Sequence, residues 1–255
     1  MIGPRLGHQA ERKECHERPH YNESVRAIIF DAGNTLLRMN YAVIVEHLLS
    51  RGRAVTLDQV EEAELRARVR LDPHLAPGNS TESTTTHGRY LRYLLEHLAV
   101  TDEAEIDAIA RWRRGYNLPV GLWTRADPEA VTALRRVREA GLVAGVISNS
   151  NGSVRSILEE TGLAAHLDFI IDSSVVGIEK PDPRIFHLGL REAGATAAQA
   201  VYVGDLYSVD VLGARAAGLD GILLDPRGFW APRDCRLAGG LNEAVRLALQ
   251  DGKVT

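Results

Sequence analysis

Five short apolar runs punctuate the chain, and each ends on a polar residue. The first, Ala27-Ile28-Ile29-Phe30, is followed by Asp31. Residues 142–147 run into Ser148, 169–171 into Asp172, 201–203 into Gly204-Asp205, and 222–224 into Asp225. Unbroken runs of this length, with no polar alternation, suit parallel strands buried on both faces. Segments of helical period lie between them. Asp127-Pro128 offers an N-cap and an N1 proline, Val131, Leu134 and Val137 form an apolar stripe, and Gly141 supplies a stop. Similar segments close at Gly162, Gly194 and Gly218, where a helix end favours a residue free to take positive φ. The alternation predicts an α/β fold with a doubly wound parallel sheet.

Residues 41–119 break this rhythm. Helical patterns cover 41–50, 57–70, 89–100 and 102–114, a polar loop spans 77–87, and no strand run appears. The expected organisation is a tail over 1–24, a sheet domain over 25–40 and 120–255, and an all-helical domain inserted at 41–119. The tail is polar and aperiodic, which reads as mobile. Its Cys15, His16 and His20 lack the paired spacing of a zinc site.

Composition narrows the function classes. The 255 residues are 45% apolar and 25% charged, the ordinary globular range. A net charge of −4 provides no basic field for a phosphate backbone, and 14 aromatic residues make a base-stacking platform a poor guess, so no nucleic-acid partner is expected. No apolar run reaches membrane-spanning length, and the first 24 residues lack a signal-type apolar core. Two cysteines, Cys15 and Cys235, form no disulfide framework, so a reducing, cytoplasmic setting is expected. Of 30 basic residues only Lys13, Lys180 and Lys253 are lysines. A lysine in so arginine-rich a chain hints at a need for a compact ammonium, with chance as the plain alternative.

Ligands of open parallel sheets bind beyond the carboxyl ends of the strands. Those ends carry Asp31, Ser148 and Asp205, and Lys180 follows the third long run in Gly177-Ile178-Glu179-Lys180-Pro181. A carboxylate nucleophile, a hydroxyl, an ammonium and a second carboxylate form a plausible kit for phosphoryl transfer. The sequence resembles the haloacid dehalogenase superfamily, in the branch with a helical cap inserted after the first motif. Four motifs stand in family order: Phe30-Asp31-Ala32-Gly33-Asn34-Thr35-Leu36, Val146-Ile147-Ser148-Asn149, Lys180-Pro181-Asp182-Pro183, and Val203-Gly204-Asp205 with Asp210. The resemblance covers residues 26 to about 225.

That resemblance implies Asp31 as the nucleophile forming an aspartyl-phosphate. It implies Ser148 and the Asn149 backbone N–H as holders of the phosphoryl oxygens, and Lys180 as the charge that neutralises between Asp31 and the phosphate. Mg2+ would be bound by Asp31, Asp205 and the Gly33 carbonyl, with Asp210 as a ligand through water or an anchor behind it. Asp210 alternatively N-caps the next helix. The implied substrate is a small phosphorylated metabolite, and Arg38 and His87 are the residues expected to touch it.

Gly33 departs from the family pattern. Most phosphatases of this superfamily carry an aspartate there, which protonates the leaving oxygen and later deprotonates water. Its loss removes help typically worth ~10²–10⁴ in rate. Phosphonoacetaldehyde hydrolases also lack it but need a cap lysine, and residues 41–119 contain none. Haloacid dehalogenases lack it too, yet they lose the Gly204-Asp205 metal signature that this chain keeps. The readings left are a phosphatase favouring good leaving groups, a phosphatase whose cap supplies the acid from His87, Tyr90 or His97, and, as alternatives, a 2-haloacid dehalogenase-like hydrolase disfavoured by that signature or a binding or regulatory protein on the same fold.

Overall fold

The computed structural model describes residues 25–75, 80–116 and 121–250. The tail over 1–24, with Cys15, His16 and His20, lies outside these residues.

The chain starts with β1 (Ala27–Phe30) and the two-residue β2 (Leu37–Arg38). Four helices follow: α1 (Tyr41–Ser50), α2 (Leu57–Leu71), α3 (Thr84–His97) and α4 (Glu103–Tyr116). The sheet region resumes with β3 (Arg125–Ala126), α5 (Ala130–Glu139), β4 (Val143–Ser148), α6 (Val154–Glu160), β5 (Phe169–Asp172) and the single turn α7 (Ser173–Val176). It ends with α8 (Pro183–Ala193), β6 (Ala200–Gly204), α9 (Leu212–Ala216), β7 (Asp220–Leu224), β8 (Arg236–Ala238) and α10 (Leu241–Gln250).

Six strands pair in parallel in the order β5-β4-β1-β6-β7-β8. β1 is central, with Phe30 level with Val146 on one side and Val203 on the other. Its residues alternate between two cores, as the period of a strand requires. Ile28 and Phe30 pack with Leu134 and Val137 of α5, Leu158 of α6 and Val245 of α10. Ala27 and Ile29 pack on the other face with Ile185, Phe186 and Leu190 of α8 and Ala214 of α9. This is a doubly wound α/β sheet. Gly194 closes α8 at φ +58°, the left-handed end its position predicts.

The described residues of 41–116 contain helices and no strand. They gather a core of their own, with Leu48, Val60, Ala67, Leu94, Leu95 and Ile109 among its buried members. The antiparallel pair β2–β3, Leu37 opposite Ala126, joins the chain's exit into this insertion to its return. One boundary differs from the sequence pattern. The run read as loop up to residue 87 turns helical at Thr84, because the Ser83 hydroxyl accepts from the Thr86 N–H and caps α3. A threonine run hides that cap. No helix among the described residues is long and apolar enough to cross a membrane.

Candidate active site

The register of the central strands brings the chemical residues together. The Asp31 N–H donates to the Val203 carbonyl, so Asp31 leaves β1 level with the end of β6. Ser148 ends β4 on the other side, and Asp205 follows β6 directly. All three side chains are buried at the carboxyl edge of the sheet and line one cavity of about 290 Å³.

Lys180 is 3% exposed, at the centre of this group. Its Nζ donates to Asp31 Oδ1 at 2.6 Å, Asp210 Oδ1 at 2.8 Å and the Tyr202 hydroxyl at 3.0 Å. The three donors of an ammonium thus meet three acceptors, an arrangement a planar guanidinium cannot match. These carboxylates raise the ammonium well above its ordinary pKa, overcoming the burial that opposes its charge. The Asn149 side chain ties the second motif to the third. Its amide donates to the Lys180 carbonyl at 2.9 Å, and its carbonyl accepts from the Lys180 N–H at 2.8 Å.

Asp210 is an anchor in this geometry. Beyond the Lys180 contact, its Oδ2 accepts from the N–H groups of Asp205 and Leu206, at 3.0 and 2.9 Å. Gly204 makes room for it. A Cβ at Gly204 would stand 2.4 Å from the Asp210 carboxyl carbon, which is locked by those bonds. Gly204→Ala is therefore expected to cost ~1–3 kcal/mol through overpacking, seen as a lower urea midpoint. An unchanged midpoint would show that the loop yields freely.

Oxygens of Asp31, Asp205 and Asp210 lie within 4.8 Å of one another. Lys180 and Arg68 set two positive charges against these three carboxylates, and a third buried negative charge is costly without a further cation. Burial, with repulsion from Asp210, pushes Asp31 up to about 6 against the pull of Lys180. Burial, with repulsion from Asp31 and Asp210, pushes Asp205 up to about 8 against the pull of Arg68. A hard divalent cation fits this all-oxygen donor set.

Arg68 of α2 was not singled out by the sequence. It reaches down from the insertion and donates from Nη1 to Asp205 Oδ2 at 2.7 Å. Its other partner is Glu64, 0% exposed, which also accepts from the hydroxyls of Tyr41 and Tyr90. Nothing local marks Arg68 among 27 arginines; only its i+4 spacing from Glu64 was visible.

The expected substrate contacts divide. His87 lines the main cavity, whereas Arg38 lies in a smaller neighbouring one. The Arg38 guanidinium is spent on Asp127 at 2.6 Å and Glu61 at 3.1 Å, tying the sheet region to α2. Around Gly33 there is space: an added Cβ would meet the Trp123 ring edge at 3.6 Å, an ordinary contact. Trp123 in turn donates to Asn34 Oδ1 at 2.7 Å.

The cap acids proposed from sequence fare unequally. Burial, aided by Arg113, lowers His87 to about 4, so its ring is neutral near pH 7. The Tyr90 hydroxyl is committed to Glu64 at 2.7 Å, and burial raises its pKa well above the ordinary value. His97 is not among the cavity-lining residues. Glu82, which the sequence left unremarked in a polar loop, lines the cavity instead.

Comparison with known proteins agrees with this geometry. A family model described as haloacid dehalogenase-like hydrolase matches residues 25–218. The human haloacid dehalogenase-like hydrolase domain-containing protein 3 is 34% identical over 209 residues, covering 78% of this chain and 82% of that protein. A phosphoserine phosphatase of Thermus thermophilus is 37% identical over 120 residues, 47% of this chain and 45% of that one. Among solved structures, the magnesium-bound HAD-hydrolase YfnB of Bacillus subtilis superposes with a TM-score of 0.62 at 18% identity, covering 89% of this chain and 100% of that one. Solved 2-haloacid dehalogenases share the fold at similarly low identity. With the four motifs gathered at one sheet edge and the family model spanning three-quarters of its length, the chain belongs to the haloacid dehalogenase-like hydrolases.

Proposed function

We propose that the protein is a Mg2+-dependent phosphohydrolase that acts through an aspartyl-phosphate on a small phosphorylated metabolite. The observation that carries this reading is Asp31 held by Lys180 at 2.6 Å within a cluster of three buried carboxylates. A dehalogenase needs no such cluster, and a binding protein would have no use for the carboxylate's fixed orientation. The phosphatase name of a relative points the same way.

In this reading Asp31 attacks phosphorus while Lys180 fixes its carboxylate and balances charge. Ser148 and the Asn149 N–H hold the phosphoryl oxygens. Asp31, Asp205 and the Gly33 carbonyl would hold Mg2+, with Asp210 as the anchor behind them. The cation supplies positive charge to the phosphoryl oxygens as charge shifts toward the leaving group. The insertion roofs the cavity as a cap with Leu71, Leu75, Tyr90 and His87, and His87 faces the substrate as a neutral ring. Gly33 brings no proton, so the sheet domain alone suits good leaving groups. Cys235, a free thiol among the described residues, fits a cytoplasmic setting.

The test is a panel of phosphorylated metabolites with Mg2+. Phosphate release that stops in EDTA and returns with Mg2+ is the expected result. Release unaffected by EDTA, or halide release from 2-haloacids in EDTA, would overturn the reading.

A further inference from the structure

We infer that Glu82 in the cap carries the proton for the leaving oxygen, in place of the carboxyl that Gly33 lacks. This rests on the phosphohydrolase reading and adds a catalytic residue to it.

The placement of Glu82 is fixed from both sides. Just before it, Thr81 Oγ1 accepts from the Asn149 side-chain amide at 2.9 Å, and the Ser80 hydroxyl donates to Glu179 at 3.0 Å. Two consecutive cap residues are thereby bound to the second motif and to the residue before Lys180. The Glu82 N–H donates to Ser80 Oγ at 3.0 Å, and the next residue, Ser83, caps α3. Glu82 is therefore held over the crevice and lines the cavity that contains Asp31 and Ser148. Among the cap residues lining that cavity, Arg68, Tyr90 and His87 are unsuited to the task. Arg68 stays charged, Tyr90 is committed to Glu64, and His87 is a neutral ring.

The surroundings of Glu82 favour a carboxyl that holds its proton near neutrality. Burial raises it to about 7, helped by Glu179, Asp172 and Asp31 and opposed by Arg113 of α4. His87 of α3 also faces it, with Nε2 at 3.9 Å from Glu82 Oε2. A group titrating near the working pH can both give and take a proton.

The steps balance. As Asp31 bonds to phosphorus, the phosphorus–oxygen bond to the alcohol breaks and its electron pair goes to the leaving oxygen. That oxygen takes the Glu82 proton and departs as the alcohol. Water then attacks the aspartyl-phosphate while the Glu82 carboxylate accepts its proton. The pair of the breaking bond returns to Asp31, phosphate leaves, and Glu82 is protonated again.

The decisive measurement is kcat/KM for phosphate monoesters of rising leaving-group pKa, from 2,4-dinitrophenyl through phenyl to alkyl, each with Mg2+. This ratio reports the expulsion step when that step is the first irreversible one. In Glu82→Gln, the phenyl and alkyl esters are expected to lose ~10²-fold or more, while the dinitrophenyl ester, which needs no proton, changes by less than about 3-fold. The wild-type fall in phenyl phosphate kcat/KM as pH rises through about 7 should vanish in Glu82→Gln, and Glu82→Asp should restore part of the alkyl rate. A uniform loss across the series, or no loss, would overturn the role of Glu82 and leave the phosphohydrolase reading standing. No phosphate release from any ester by the wild type would overturn both.

Discussion

Asp31→Asn is expected to lower Mg2+-dependent phosphate release by ~10⁴-fold or more, the scale seen when a nucleophile is removed from a set of groups acting as a unit. The fold should not suffer. In the native state Asp31 titrates near 6 against an ordinary 3.8, because burial opposes its charge. The folded protein thus holds this proton more tightly than the unfolded chain does. Stability is lost as pH rises from about 4 to 6, and the deficit is complete above that window. A rise of this size corresponds to roughly 3 kcal/mol as an upper bound, so in EDTA at pH 8 the asparagine variant should melt at the same temperature or higher. Phosphate assays and thermal melts on one preparation check both halves. A variant that keeps its activity would remove Asp31 as nucleophile, and one that melts much lower would show that the Lys180 contact outweighs the burial cost.

Lys180→Met is expected to have the opposite stability signature. The ammonium is the shared partner of Asp31 and Asp210, both buried. Removing it leaves two carboxylates without that counter-charge, a loss of about 3–5 kcal/mol for a broken buried pair. Without the attraction of Lys180, Asp31 rises further, so acidification toward pH 5 should return part of the lost stability by protonating it. Phosphate release should collapse as well, since the carboxylate loses the contact that orients it. Lys180→Arg should not rescue activity, because three acceptors surround a single nitrogen at 2.6–3.0 Å. Equal urea midpoints for Lys180→Met and wild type at pH 8 would contradict this account.

Much of the sheet was legible because buried parallel strands leave an unmistakable local mark. The runs ending at Asp31, Ser148, Asp172 and Gly204 became β1, β4, β5 and β6. The run over 222–224 became the end of β7. β8 was hidden because Arg236 and Leu237 stay partly exposed at the sheet edge, leaving no apolar run to read. β2 and β3 are two residues each and exist only through their mutual pairing. The same division runs through the site. Asp31, Ser148, Lys180 and Asp205 were visible because each follows a strand or a motif in order. Arg68 and Glu82 were not, because their place in the cavity comes from how the insertion folds back over the sheet, which no local pattern encodes. Trp123 and Tyr202 act through contacts with residues 89 and 22 positions away.

Arg68 couples the helical insertion to the proposed cation site. It stands on α2 yet holds an oxygen of Asp205, the carboxylate with which Mg2+ would have to bond. If Mg2+ binds as proposed, α2 and the cation would share one carboxylate, with Arg68 already on its Oδ2. Linkage is reciprocal: whatever factor the Arg68 contact takes from cation affinity, the cation takes from the hold of the cap on the sheet. An ion that displaced Arg68 from Asp205 would weaken the hold of α2 on the sheet at this point, and a tighter Arg68 contact would weaken ion binding. Cation affinity, measured with and without the Arg68 side chain, would gauge that coupling.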